Sequence, residues 1–140
     1  MTKKKKYEIL RNYCLHYAEH TLFKIKALKD FDDVKKDDIG GFIEHPWNLS
    51  QKGDCWIYDE AMVFGNARVY GDASIRRRSK IGGNAKVYDK ACISSEVKVC
   101  EDIEVCGDAI IIGPLILYGT TKISGDVHID TDTRELYGIE

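Results

Sequence analysis

From Gly53 to Asp130 every sixth position is aliphatic. Thirteen hexads follow one another without an insertion. The fifth column reads Ile57, Val63, Val69, Ile75, Ile81, Val87, Ile93, Val99, Val105, Ile111, Leu117, Ile123 and Ile129. The third column is small or apolar, from Cys55, Ala61 and Ala67 to Leu115, Thr121 and Val127. Columns one and two hold most of the Gly, Asn and Asp, residues that accept a left-handed backbone at a corner. Side chains alternate faces along a strand, so columns three and five point inward and columns four and six outward. Each hexad is then a short strand plus a corner, and three hexads close a triangular turn of 18 residues. The stretch lacks the 3.6-residue period of an amphipathic helix. The pattern predicts an all-β chain: a parallel β-helix of about four triangular coils over residues 53–130.

The hexads leave residues 1–52 as an N-terminal cap and lead-in, and residues 131–140 as a tail or second cap. Phe23, Ile25 and Ala27 alternate with Lys24 and Lys26, which predicts a strand over 21–28 with Tyr7 to Leu10 as its antiparallel partner. A helix over 8–20 is the alternative, because Ile9, Tyr13 and Tyr17 also fit helical spacing. Either form would cover the open edge of the first coil. Gly40-Gly41 and Pro46 mark turns leading into the stack. At the far end, Leu136, Tyr137 and Ile139 could fold over the last coil.

Composition narrows the partners. The 140 residues carry a net charge of −2, which provides no global field for nucleic acid or membrane. The basic run Lys3 to Lys6 lacks the apolar core of a signal peptide, and no apolar run is long enough to span a membrane. Five cysteines with no ligand spacing read as reduced thiols, and hence as a cytoplasmic protein.

The hexads resemble those of the hexapeptide-repeat left-handed β-helix superfamily, which includes many trimeric acyltransferases. The segment LKDFDDVKKDDIGGFIEHPWNLSQKGDCWIYDEA (28–61) resembles the lead-in of its YdcK-like branch, whose members occur in bacteria and phage-like gene sets, mostly without an assigned activity. The resemblance implies a left-handed coil and side-by-side assembly. It also implies that catalytic members use a histidine base and loops that interrupt the hexads. This chain has no such loop, His128 is the sole histidine in the hexads, and His16, His20 and His45 have no acid at a telling spacing.

The expectation is therefore a non-catalytic protein-interaction module, of the kind a phage or mobile element could carry as an inhibitor, with no cofactor and no metal. A minimal acyl-CoA-dependent acyltransferase using His128 is one alternative. The other is a phosphate or nucleic-acid binder using Arg76, Arg77 and Arg78 with the Lys3–Lys6 tail. Coil register sets Arg77 and Arg78 between Asp59-Glu60 and Ser95-Glu96, a ladder of surface ion pairs, and leaves Arg76 without an acid. Tyr70 and Tyr88 stack one coil apart and could form a binding platform. Ile110, Ile112, Ile116 and Tyr118 occupy outward columns and predict the interface of a homo-oligomer, dimer or trimer.

Overall fold

A computed structural model describes residues 5–133. Lys3, Lys4, Leu136, Tyr137 and Ile139 fall outside it. The chain is all-β apart from a 3-10 turn at Pro46–Asn48. After β1 (Tyr7–Tyr17), β2 (His20–Ala27) and β3 (Ile39–Ile43), thirteen strands of two or three residues follow, one per hexad. They form three parallel walls. The first starts at Trp56–Ile57 and ends at His128–Ile129. The second runs from Met62–Val63 to Ile116–Leu117, and the third from Arg68–Val69 to Lys122–Ile123. Residues 18 apart are paired throughout, as in Arg68 with Lys86 and Cys92 with Ile110. All thirteen aliphatic residues of the fifth column are buried.

The stack begins before the hexads do. β3 pairs in parallel with Met62–Val63, and Leu49 bridges Val69 in the same sense, so the solenoid has about five turns. β1 and β2 form an antiparallel hairpin that continues the second wall, and the helical alternative over 8–20 does not form. Lys24, expected on the wet face of β2, is buried instead, because a register shift between Lys24 and Lys26 turns it onto the first turn. Trp56, in an outward column, is also buried; Tyr7 and Phe31 of the lead-in pack against it edge-on, with ring centroids at 6.2 and 5.3 Å.

The third- and fifth-column carbonyls accept N–H groups of the preceding turn. Trp56 N–H donates to Ala73 O at 3.1 Å, Lys80 N–H to Val97 O at 2.9 Å, and Cys106 N–H to Ile123 O at 2.9 Å. The carbonyls of the first hexads therefore need donors from the lead-in, because a buried carbonyl without a partner is costly. Backbone serves some of them: Phe42 N–H reaches Ala61 O at 2.9 Å and Ser50 N–H reaches Val69 O at 2.9 Å. Side chains serve the rest. Lys6 Nζ donates to Cys55 O at 2.7 Å and Gly53 O at 3.1 Å. Lys24 Nζ donates to Asp59 O at 2.6 Å, and Asn48 Nδ2 to Ala67 O at 2.8 Å and Gly65 O at 3.2 Å. Among the described residues no buried side-chain nitrogen or oxygen lacks a partner.

Corner geometry explains the first column. Asp59, Arg77, Asp89, Ser95 and Glu101 all have positive φ there, between 50° and 69°, as do most of the glycines. Arg77 thus holds a left-handed position that a glycine would fill at lower cost, which is a backbone role independent of its charge.

Candidate functional site

The three consecutive arginines do not converge. Arg76 leaves the run to lie over the Tyr58 ring, with its Cζ 3.8 Å from the ring centroid, and pairs with Asp33 of the lead-in at 3.6 Å. The Tyr58 hydroxyl donates to the same carboxylate at 2.6 Å. The expectation that Arg76 has no acid is therefore corrected: Asp33 lies 43 residues away in sequence, and no register rule connects the two. Arg78 pairs with Glu96 at 3.8 Å, one rung of the expected ladder, and Arg77 is exposed at the corner.

Tyr70 and Tyr88 do stack, with centroids 4.8 Å apart and planes 4° from parallel. Tyr88 donates to Glu104 Oε2 at 3.0 Å, and Cys106 and Glu104 beside it push its hydroxyl pKa up. Tyr70 also lines an open cavity of about 310 Å³ with Arg68, Val69, Trp47 and Leu49. Trp47 is held in place from two sides. Its indole N–H donates to Gly65 O at 3.0 Å, and the His45 ring stacks on it at 4.0 Å and 16°.

That histidine belongs to a cluster the sequence did not reveal. His20, at the start of β2, places Nδ1 2.9 Å from Glu44 Oε1, and His45 Nε2 approaches the same oxygen at 3.5 Å. Burial alone would raise the Glu44 carboxyl. The Gly65 N–H, donating at 2.8 Å, together with His20 and His45 outweighs it and holds the group below its ordinary value. Because Glu44 is then a carboxylate, the contact requires Nδ1–H of His20 to be the donor, which leaves Nε2 as the basic nitrogen. The His20 ring rests on Phe64, centroids 4.6 Å apart. The geometry is that of a base oriented by an acid, at the junction of hairpin and first turn. Its members lie 24 residues apart on elements that meet only through the cap, so spacing gave no signal. Among the described residues no group of three His, Cys, Asp or Glu side chains is placed to hold a metal.

His128 sits exposed on the last strand of the first wall. Ile110 and Ile116 are exposed on adjacent walls, Tyr118 extends beside Ile116, and Ile112 is half-buried. The five cysteines are free, and no helix among the described residues is long and apolar enough to cross a membrane.

No family model matches the chain. Over 45 residues it is 47% identical to the uncharacterized acetyltransferase YdcK of Escherichia coli (strain K12). The match covers 31% of this chain and 14% of that protein. The similarity and the solenoid together fit a hexapeptide-repeat β-helix family. The exclusion of catalysis drawn from the sequence is corrected: this relative is named an acetyltransferase, and His20 has an acid partner that the spacing concealed.

Glu44 should make its contribution to stability as an anion. Its folded pKa is depressed, so the contribution is complete above the ordinary glutamate value of 4.5 and disappears as pH falls through the lower folded value. Glu44→Gln should cost about 1–3 kcal/mol in urea denaturation at pH 7, with the gap to wild type closing toward pH 3. A gap that is constant across that range would contradict the assignment.

Proposed function

We propose that this chain belongs to the YdcK-like branch and transfers an acetyl group from a thioester to an amine or hydroxyl acceptor, with His20 as the general base. Glu44 orients the imidazole and stabilises the positive charge that forms on it. His20 Nε2 takes the acceptor's proton as its nitrogen or oxygen attacks the thioester carbonyl. The carbon–sulfur bond then breaks, and the departing thiolate is protonated. The observation that carries the reading is the 2.9 Å contact between His20 Nδ1 and a carboxylate locked by the Gly65 N–H. Phe64 covers one side of the ring, and Trp47 links the cluster to an aromatic-walled cavity. Among the described residues His128 has no comparable acid contact, and the base is assigned to His20 in its place.

Acetyl-CoA with a panel of amine and hydroxyl acceptors tests this, with product followed by mass spectrometry. His20→Asn should reduce turnover by about 10²–10⁴-fold at an unchanged melting temperature, while His128→Ala leaves it intact. Unaltered turnover in His20→Asn, or no transfer by wild type above the buffer rate, would sink the proposal.

A second reading concerns assembly. Ile110 is 38% exposed on the first wall, and Ile116 and Tyr118 are 53% and 57% exposed on the second, where Lys98 and Lys80 lie below Ile116. The solenoid does not need apolar residues there, and soluble monomers seldom leave such patches open. We propose that these two adjoining walls, with Ile112 beside Ile110, pack against a second copy of the chain. Light scattering should give a dimer or trimer for wild type and a smaller folded species for Ile112→Lys with Ile116→Lys. An equal mass for both at micromolar concentration would contradict it.

A further inference from the structure

The cavity beside the Tyr70–Tyr88 stack has a composition that selects a ligand class. It is lined by Leu49 and Val69, both buried, and by the aromatic side chains of Trp47 and Tyr70. Both rings are positioned before any ligand arrives: Trp47 by His45 and its bond to Gly65 O, Tyr70 by the parallel Tyr88 ring. Rigid aromatic walls lower the entropic cost of binding a flat molecule.

The polar lining is largely committed elsewhere. Gln51 Oε1 accepts from the N–H groups of Lys6 and Tyr7, and its amide donates to Tyr7 O. Ser50 Oγ accepts the Lys52 N–H. Arg68 is exposed and makes no ion pair among the described residues, and the next residue up its wall is Lys86. The site therefore offers aromatic side chains, an apolar lining and one free guanidinium, whose planar fork matches a carboxylate.

We infer that this cavity binds a small aromatic carboxylate, its ring against Trp47 and Tyr70 and its anionic group on Arg68. Its volume of about 310 Å³ is at the small end of ligand pockets and suits one ring or two. Binding needs no turnover, so this inference stands or falls separately from acetyl transfer.

Calorimetric titration of the full chain with 4-hydroxybenzoate and with its neutral amide, 4-hydroxybenzamide, provides the test. The acid should bind saturably, and the amide about tenfold more weakly. Arg68→Gln should bring the acid down to the affinity of the amide and leave the amide unchanged, while Trp47→Leu weakens both. Melting curves identify any variant that fails to fold; for those, the wild-type comparison of acid with amide decides. Equal affinity for acid and amide, acid binding unaffected by Arg68→Gln in the folded variant, or no saturable binding of the acid by wild type would overturn the inference.

Discussion

The carbonyls of the first turn set the terms for the rest of the molecule. In a stack of parallel strands each turn satisfies its neighbour, but the opening turn has no hexad before it. Here the lead-in supplies what is missing. Backbone N–H groups serve wherever β3 and Leu49 can act as a preceding strand, and Lys6, Lys24, Asn48 and Trp47 serve at the corners. Two ammonium groups are buried for this purpose. Burial pushes Lys6 below its ordinary pKa, a cost that the Cys55 thiol and Asp54 partly offset. Such groups are tolerated because their hydrogen bonds end on carbonyls that would otherwise be orphaned.

The same docking builds the candidate site. Glu44 follows β3 directly, His20 opens β2, and Gly65 belongs to the first-turn corner that Asn48 and Trp47 cap. Asn48 Oδ1 also accepts the N–H groups of Glu44 and His45, at 3.0 and 2.7 Å, so one buried amide joins the capped corner to the cluster. The candidate site and the cap therefore share a foundation. A change that loosens the cap should disorder the His20–Glu44 pair before it reaches the upper turns.

Period was the legible part of the sequence. Thirteen aliphatic residues at one spacing, with Gly or Asp at the corners, left little freedom in how the walls could stack, and the pairing of Val69 with Val87 follows from counting alone. The stacked tyrosines were legible for the same reason. What escaped was every contact between the aperiodic lead-in and the stack. The burial of Lys24 and Trp56, the Asp33–Arg76 pair and the His20–Glu44 contact depend on where the hairpin docks, which neither alternation nor hexad register encodes. Arg77 differs from these. Its charge drew attention, but its position in the left-handed column is the feature that the fold imposes.

Native-state hydrogen exchange in Asn48→Leu tests the dependence of the stack on its cap. The variant removes the four bonds of a fully buried amide while keeping a side chain of similar size. Protection should fall first at the amides of Phe42, Glu44 and Ser50, and then at Asn66 and Arg68. The amides of Lys98, Cys106 and Ile110 should keep protection near that of wild type. Uniform loss along the whole chain, or first-turn protection equal to that of wild type, would contradict the account.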